Sequence, residues 1–350
     1  MGRGFHALAS RLEYHYHPGS HECLFIHRFK PPGVGRQTVT TNFFELDPSH
    51  SVVVTIGDER NELVAAECQV LSGVAPVNGV AAGSNTAFIQ RAAYQQFGLQ
   101  VVASAPDLAL LCAQAATLLN LDDFKVSVIA RGSNGQQRRA MGLAVAEAIQ
   151  AKPNLDRPEH QLVLIEAAGH YALGEIVTEP DRSYQNHDQK PQRTSASLPS
   201  RLARALVNLV PVNAVSMLDP CCGSGALVLE ACAIGLQVFC GDINANMVNK
   251  TTENLAYFGY DCCVIQQDAR AWQQPVDAIV TDLPYGKYSR VADDVALGIF
   301  AQAAKLAPIG VFVAGMDLSA QMLAAGYTRV EVFAVPKAKG FQRYVHRGLV

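Results

Sequence analysis

Four aspartates stand at the ends of apolar, strand-like runs in the second half of the chain. The runs read AVSMLD, QVFCGD, CCVIQQD and DAIVTD, and the acids are Asp219, Asp242, Asp268 and Asp282. In sheets that alternate strands with helices, ligands bind outside the carboxyl ends of the strands. Packing alone gives no reason for an acid at every one of these ends. The pattern therefore predicts one ligand site that gathers all four carboxylates.

A glycine turn follows Asp219 in the run DPCCGSGALVLEA. Gly223 and Gly225 allow the backbone to approach a ligand closely and to adopt a positive φ. The turn lacks the third glycine of the dinucleotide-binding fingerprint and the Lys-Ser/Thr ending of a phosphate loop. With no phosphate to bind, Asp219 is suited to attract a cation. S-adenosylmethionine carries an ammonium and a sulfonium group, so we expect it as the cofactor.

Asp242 and Asp268 extend this expected cofactor site. A carboxylate at the end of the second strand accepts hydrogen bonds from ribose hydroxyls, which is the role we predict for Asp242. Asp268, at the end of the third strand, is predicted to accept from the adenine amine. Either acid alone is also explained as a helix N-cap, and the run NANMVNKTTENL makes that a strong alternative for Asp242. The three acids in register favour the cofactor.

The turn after the fourth strand, TDLPYG, is suited to hold a planar group that carries an NH2. Asp282 and a neighbouring carbonyl would each accept one N–H bond, which concentrates the nitrogen lone pair toward an electrophile. Pro284 fixes the turn, and stacking on Tyr285 would stabilise an unstacked base by ~1–3 kcal/mol. Catalysis would then consist of positioning for in-line transfer, with the proton lost to Asp282 or water. A tight turn without a ligand is the alternative that these residues leave open.

The elements that must position these residues alternate in type. From SRLARALVNLV onward, helices separate the early strand-like runs, which predicts a doubly wound, mostly parallel sheet. TRVEVFAV and FQRYVHRG are predicted to form an antiparallel pair at one edge, and Ser200 to cap the first helix. Between Ser51 and Glu179 the patterns predict α+β structure in which HQLVLIEAAG and HYALGEIVTE pair. A polar, proline-dotted linker joins the two halves.

The overall charge does not indicate a nucleic-acid partner, because 28 Lys and Arg against 31 Asp and Glu leave a formal net charge of −3. Two local basic stretches are nevertheless candidates for contact with a phosphate backbone. Their residues are Arg193, Arg201 and Arg204 near the linker, and Lys337, Lys339 and Arg343 in the last part of the chain. Solvated linker and tail charges explain the same pattern equally well.

Residues 1–50 hold six of the ten histidines. The spacing of some of them suits metal ligands, but a scattered surface cluster is the better explanation, and no metal site is predicted. The residues concerned are His15, His17, His21, Cys23 and His27. The sequence shows no CxxC motif, signal sequence or apolar run of membrane-spanning length. We therefore expect a soluble, cytoplasmic protein with reduced thiols and no obligate protein partner.

The run from Ser200 to Ser289 resembles the catalytic domain of the THUMP-containing tRNA guanosine methyltransferases. LARALVNL, DPCCGSG, GDINANMV and TDLPYG match the motifs of that family in order and spacing. Leu283 departs from the pattern, since many members have a first proline there. The resemblance implies S-adenosylmethionine-dependent methylation of the 2-amino group of a guanosine in tRNA, typically at position 10. It also implies that Asp282, Pro284 and Tyr285 are the catalytic residues.

The resemblance further implies a domain organisation in which Phe124 to Glu179 is similar to a THUMP domain. Such domains bind tRNA and measure the distance to the target nucleotide. The implied divisions are 1–50, an extension of unknown role; 51–120, a ferredoxin-like α+β module; 121–180, a THUMP-like RNA-binding domain; 181–199, a linker; and 200–350, a Rossmann-like class I methyltransferase domain.

Two other functions stay open at this point. The turn at Asp282 does not distinguish a guanine of tRNA from a guanine of rRNA or an adenine of DNA, so an amino-methyltransferase for either of those is the first alternative. The second is a non-catalytic RNA-binding protein with a decayed cofactor site. The retained aspartates disfavour it. The target nucleotide, the number of methyl groups and the oligomeric state are not encoded in these motifs.

Overall fold

The computed structural model describes residues 46–55, 62–118, 121–167, 169–284, 293–338 and 341–350. Within these ranges, thirteen β-strands and eight α-helices build two sheets and the helices that cover them. Three groups of residues named above lie outside the described ranges. They are the cluster from His15 to His27, the predicted stacking residue Tyr285, and Lys339.

The first sheet has six strands in the order β2-β1-β3-β6-β5-β4, of which only β4 and β5 run parallel. Its strands are β1 (Ser51–Thr55), β2 (Val80–Ala82), β3 (Gln95–Ala105), β4 (Phe124–Ala130), β5 (His160–Ala167) and β6 (His170–Thr178). Its helices are α1 (Glu62–Ser72), α2 (Leu108–Leu118) and α3 (Gly135–Ile149). Helices α2 and α3 pack on one face through Leu111, Val145 and Ile149. The predicted pairing of HQLVLIEAAG with HYALGEIVTE is confirmed as the β5–β6 pair.

The predicted boundary near residue 120 does not coincide with a break in this sheet. Strand β3 comes from the predicted module 51–120 and β6 from the predicted module 121–180, yet the two strands pair from Gly98 to Ala105. One continuous sheet therefore spans both modules, and their functional division stays a prediction.

The second sheet has seven strands in the order β12-β13-β11-β10-β7-β8-β9. Its strands are β7 (Ser216–Asp219), β8 (Gln237–Asp242), β9 (Val264–Gln266), β10 (Ala278–Asp282), β11 (Ile309–Ala314), β12 (Arg329–Ala338) and β13 (Phe341–Leu349). The first five run parallel, and β13 is antiparallel to both of its neighbours. Its helices are α4 (Ser200–Val207), α5 (Ala226–Ala233), α6 (Ala245–Phe258), α7 (Asp293–Leu306) and α8 (Ser319–Ala324).

This strand order confirms the predicted doubly wound sheet with an antiparallel pair at one edge. The order reverses between β7 and β10, which makes that point the switch at which doubly wound sheets bind ligands. The central strands are largely apolar, as expected for strands that are covered on both faces. On one face Val280 and Val311 pack with Leu206 of α4. On the other, Ile279 and Phe312 pack with helix α7.

The polar segment 181–199 packs against the second sheet instead of extending into solvent. A 3₁₀ turn spans Ser183–Gln189, and the Nδ1 atom of its buried His187 lies 2.7 Å from Oε1 of Glu230 in α5. Asp188 accepts a 3.0 Å hydrogen bond from the backbone N–H of Ser200. The predicted N-cap role of Ser200 is wrong. Pro199 occupies the cap position, and Asp188 accepts the hydrogen bond of the backbone N–H of Ser200, which has no partner within the helix.

A buried carboxylate joins the first sheet to the second. Glu67 of α1 accepts 2.8 Å hydrogen bonds from the backbone N–H groups of Ala93 and Tyr94, and a 2.7 Å bond from Nδ2 of Asn208, which follows α4. Full burial raises the pKa of Glu67, while these hydrogen bonds oppose the shift. The two sheets are thus fixed to each other by directed polar bonds as well as by apolar contact.

Candidate active site

A cavity of about 660 Å³ opens at the carboxyl ends of β7, β8 and β10. Asp219, Asp242, Asp268 and Asp282 all line it, together with Gly223 of the turn that follows β7. Parallel strands bring these positions together because their carboxyl ends meet at one edge of the sheet. The structure therefore gathers the four strand-end acids in one site.

The glycine turn after β7 is held in place from α6. Gly223 and Gly225 have φ values of +53° and +81°, which L side chains rarely adopt. A Cβ at Gly225 would lie 2.9 Å from Cγ2 of Thr251. The hydroxyl of Thr251 donates a 2.7 Å hydrogen bond to the carbonyl of Gly223. The turn needs glycine because helix α6 packs directly against it.

Asp242 is fixed by two backbone amides, one from each adjoining segment. Its Oδ2 accepts a 2.9 Å bond from the N–H of Gly223, and its Oδ1 accepts one of 2.9 Å from the N–H of Asn244. Asn244, not Asp242, is the N-cap of α6. The alternative explanation of Asp242 as an ordinary helix cap is therefore wrong. Its carboxylate instead ties the glycine turn to β8 at the wall of the cavity.

Asp219 is 1% exposed and lies among like charges. Burial is the main cause that raises its pKa to about 7, and the nearby carboxylates of Asp242 and Asp282 raise it further. Hydrogen bonds from the Thr281 hydroxyl (2.7 Å) and from the Cys221 N–H (3.3 Å) oppose the shift. A bound cation would relieve this concentration of negative charge, so the site is complementary to a positively charged ligand.

Asp268 binds Arg270, which was not among the predicted site residues. Its Oδ1 accepts from the backbone N–H (2.8 Å) and Nε (3.0 Å) of Arg270, and its Oδ2 from a terminal nitrogen (2.6 Å). These bonds are the main cause that lowers the pKa of Asp268 to about 2. Asp268 is also the N-cap of the 3₁₀ turn Ala269–Ala271, so the capping alternative is confirmed for this residue, and its role toward an adenine amine stays a prediction.

Asp282 ends β10, and the backbone turns into the cavity directly after it. The N–H of Leu283 donates a 3.0 Å hydrogen bond to the carbonyl of Val313, which continues the β10–β11 pairing. The Leu283 side chain is buried with Phe300 in the apolar cluster beneath α7, so an apolar residue suits this position without a proline. Pro284 is exposed and lines the cavity next to Asp282.

Comparison with known proteins identifies the kind of domain to which this site belongs. Residues 187–299 match the UPF0020 family model, described as an RMKL-like methyltransferase domain. This match covers β7 to β10 and all four strand-end aspartates. The second sheet thus belongs to a methyltransferase domain. S-adenosylmethionine is the cofactor that such a domain uses.

Two curated relatives carry the same name, tRNA (guanine(10)-N2)-dimethyltransferase. The protein of Methanothermobacter thermautotrophicus is 34% identical over 42% of this chain and 46% of its own length. That of Methanocaldococcus jannaschii is 30% identical over 52% of this chain and 55% of its own length. The chain thus spans about half the length of the curated relatives it matches. The solved structure of TrmN from Thermus thermophilus aligns with a TM-score of 0.49 at 18% identity, over 86% of this chain and 99% of that chain.

The basic residues near the methyltransferase domain divide by exposure. Arg193 is exposed, whereas Arg201 is half-buried, with Nε 3.0 Å from the carbonyl of Ala93 and its guanidinium over the ring of Tyr94. Arg204 is 1% exposed, and its Nε donates a 2.8 Å hydrogen bond to Glu230. The prediction that Arg204 contacts RNA is wrong, because its charge is neutralised inside the protein.

The basic residues of the last strands also differ in their exposure to solvent. Arg343 is 3% exposed on β13, so the predicted surface contact with RNA is wrong for this residue as well. Lys337 is exposed on β12, and its side chain lines the cavity of the methyltransferase domain near Asp282. Partial burial is the main cause that lowers the pKa of Lys337, the charge of Arg343 lowers it further, and the charge of Asp282 opposes the shift. Lys337 is therefore positioned at the mouth of the candidate active site.

One wall of the cavity comes from residues that the strand-end pattern did not predict. Thr194, Ser197 and Leu198 line it although they precede the first strand of the methyltransferase domain. The hydroxyl of Ser197 lies 2.6 Å from that of Ser224 in the glycine turn. The only sequence signal was the polar run RTSAS, which is also typical of a linker.

No helix in the described part of the chain is both long and apolar enough to cross a membrane. The same ranges contain no group of three or more His, Cys, Asp or Glu residues arranged to hold a metal ion.

Proposed function

We propose that this protein methylates the exocyclic 2-amino group of a guanosine in tRNA, with S-adenosylmethionine as methyl donor and position 10 as the target. The position of Asp282 is the observation that carries the proposal. Asp282 lies beside Pro284 in the same cavity as the acids that suit a cationic nucleoside. The names of the relatives, which match about half of this chain, support the substrate.

The residues present fit the cofactor. Buried Asp219, whose pKa is raised to about 7, favours a positively charged ligand nearby. Asp242 would hold the ribose hydroxyls, Asp268 the adenine amine, and the turn at Gly223 and Gly225 the amino acid part. When bound, S-adenosylmethionine supplies an electrophilic methyl group on its sulfonium.

The target amine is a poor nucleophile because its lone pair is delocalised into the base. Asp282 and a backbone carbonyl of the turn would each accept one of its N–H bonds, which restores lone-pair density on nitrogen. Pro284 holds the turn in this form, and Tyr285 would stack on the extruded base. The proton leaves to Asp282 or to water after transfer.

The rest of the chain would bind the tRNA. We assign RNA binding to the α+β half, with 51–120 as a ferredoxin-like module and 121–180 as a THUMP-like domain, and a cytoplasmic location. Exposed Arg193 and Lys337 flank the cavity and are suited to contact phosphates there. The orientation fixed through Glu67 and Asn208 would hold a constant distance between the RNA-binding half and the cavity.

The proposal is tested by mass analysis of nucleosides from tRNA incubated with the protein and labelled S-adenosylmethionine. The expected product is 2-methylguanosine or 2,2-dimethylguanosine, and a time course separates one transfer from two. Competition among tRNA, rRNA and duplex DNA identifies the substrate class. Methyladenosine, or preference for rRNA or DNA, would replace the proposal by the corresponding alternative.

The role of Asp282 is tested by Asp282→Ala against Asp261→Ala, a change at an exposed acid in the loop between α6 and β9. Loss of the amine acceptor should lower kcat by about 10²–10⁴, while the control keeps full activity. Binding of S-adenosylhomocysteine by Asp282→Ala would show that the cofactor site persists. Full activity of Asp282→Ala would overturn the mechanism.

A further inference from the structure

Helix α6 carries a fully buried asparagine that no part of the proposed chemistry uses. Asn254 is 0% exposed and is absent from the lining of the cavity. Buried side-chain amides are costly unless their hydrogen bonds are made. The bonds that Asn254 makes therefore indicate what it does.

Asn254 bonds to two separate segments at once. Its Oδ1 accepts a 2.8 Å hydrogen bond from the backbone N–H of Gln192, and its Nδ2 donates at 2.9 Å to the carbonyl of Gln192 and at 2.9 Å to that of Ser224. Gln192 belongs to the linker, and Ser224 to the glycine turn. One side chain thus ties the linker to the turn.

Thr251, one helical turn before Asn254, lies on the same face of α6 and bonds the carbonyl of Gly223. The two side chains together hold two successive carbonyls of the glycine turn, those of Gly223 and Ser224. Beyond Gln192, the linker continues along the cavity, where Thr194 and Ser197 line it and Ser197 meets Ser224. The linker is consequently a wall of the cavity that is anchored from behind by Asn254.

We propose that Asn254 is a positioning residue that couples cofactor binding to the order of the linker segment 192–198. The segment forms part of the cofactor cavity only while Asn254 holds it against the glycine turn. Since the same segment connects the α+β half to the methyltransferase domain, a bound cofactor also stiffens the connection between the halves. This inference rests on the cofactor assigned in the proposed function.

The first test uses the unaltered protein and trypsin. Arg193 is exposed at the start of the cavity wall, and Arg182 is exposed upstream of the 3₁₀ turn. Lys190 precedes a proline, so trypsin does not cleave after it. Cleavage after Arg182 and cleavage after Arg193 can therefore be measured separately. S-adenosylhomocysteine should slow cleavage after Arg193 and leave cleavage after Arg182 unchanged. Equal effects at both sites, or no effect, would overturn the coupling.

The second test compares Asn254→Ala with Gln192→Ala. The alanine at 254 removes all three bonds, whereas the alanine at 192 keeps the backbone groups that Asn254 binds and loses only the exposed side-chain bond of Gln192 to Glu253. By calorimetry, Asn254→Ala should raise the Kd of S-adenosylhomocysteine by roughly tenfold and abolish ligand protection at Arg193. Gln192→Ala should match the unaltered protein in both measurements.

Gln192→Pro provides a second variant in case Asn254→Ala fails to fold. Compared with Gln192→Ala, which also lacks the glutamine side chain, it removes in addition the N–H that donates to Asn254 Oδ1, and it should weaken ligand protection at Arg193. Unchanged Kd and protection in a folded Asn254→Ala variant, with normal binding by the unaltered protein, would overturn this inference alone. Failure of the unaltered protein to bind S-adenosylhomocysteine would overturn the proposed function and this inference together.

Discussion

The hydroxyl of Thr281 donates a 2.7 Å hydrogen bond to Oδ1 of Asp219. This bond joins the strand that ends at Asp282 to the strand that leads into the glycine turn. Both groups are buried, so the bond is shielded from competing water. The two turns of the candidate site therefore cannot move independently.

Thr281→Val should destabilise the protein and weaken the cofactor site. Valine has a similar shape but leaves the buried Asp219 with one hydrogen bond fewer, which costs about 1–3 kcal/mol. Denaturant unfolding should show the loss in free energy of unfolding, and calorimetry a higher Kd for S-adenosylhomocysteine. Thr281→Ser keeps the hydroxyl and should retain most of both. A Val variant that equals the Ser variant would contradict this account.

Affinity for S-adenosylmethionine should rise as pH increases toward 7. Asp219, with a pKa of about 7 in the folded protein, is largely protonated at lower pH, and a cationic ligand favours its ionised form. Each proton released on binding changes affinity by up to about tenfold per pH unit below that pKa. Calorimetry from pH 5.5 to 8 should show the trend for S-adenosylmethionine more strongly than for S-adenosylhomocysteine, which lacks the sulfonium charge. Asp219→Asn should remove it.

The same shift makes a prediction about stability. Because the pKa of Asp219 is raised above its unfolded value, its contribution is fully present below the unfolded pKa of 3.8 and is lost as pH rises through about 7. Relative to Asp219→Asn, the free energy of unfolding of the ligand-free protein should therefore fall across that window. A difference that grows in the opposite direction would refute the assignment.

Gly225→Ala should impair the glycine turn more than Gly223→Ala. Both positions have positive φ, but only at Gly225 would the new Cβ collide with Cγ2 of Thr251, at 2.9 Å. Thr251→Ser removes that methyl group and keeps the hydroxyl that bonds Gly223. Combining it with Gly225→Ala should recover part of the lost affinity for S-adenosylhomocysteine. No recovery would mean that backbone strain alone decides the outcome.

Arg204→Ala and Arg193→Ala should separate stability from RNA binding. The first leaves Glu230 buried without its cation and should cost about 3–5 kcal/mol of unfolding free energy. The second removes an exposed charge and should change stability by no more than about 0.5 kcal/mol. Only Arg193→Ala should reduce the salt dependence of tRNA affinity while the protein stays folded. Filter-binding titrations at several salt concentrations measure this slope.

The strand-end aspartates could be predicted because the rule behind them is geometric. Once the alternation of strands and helices indicates a parallel sheet, Asp219, Asp242 and Asp282 must share an edge. Their individual roles are less visible in sequence. The competing explanation of Asp242 as a helix cap was excluded only because the structure places Asn244 at the N-cap of α6.

Burial of charge could not be predicted from the basic stretches. Arg193 and Arg204 belong to the same basic stretch near the linker, yet Arg204 lies on the inner face of α4, opposite Glu230. Nor could Thr194 and Ser197 be predicted as cavity residues, because they precede the alternating strands and helices of the second sheet. They reach the site only through tertiary contacts such as the bonds of Asn254 to Gln192.

The pairing of β3 with β6 has a consequence for how the α+β half is assembled. A chain divided between Leu118 and Leu121 would yield two pieces, each with a hydrogen-bonding edge that only the other matches. Unpaired edges of this kind recruit partner strands. The two pieces should therefore find each other when expressed together and reconstitute one sheet, whereas either piece alone would be prone to aggregate.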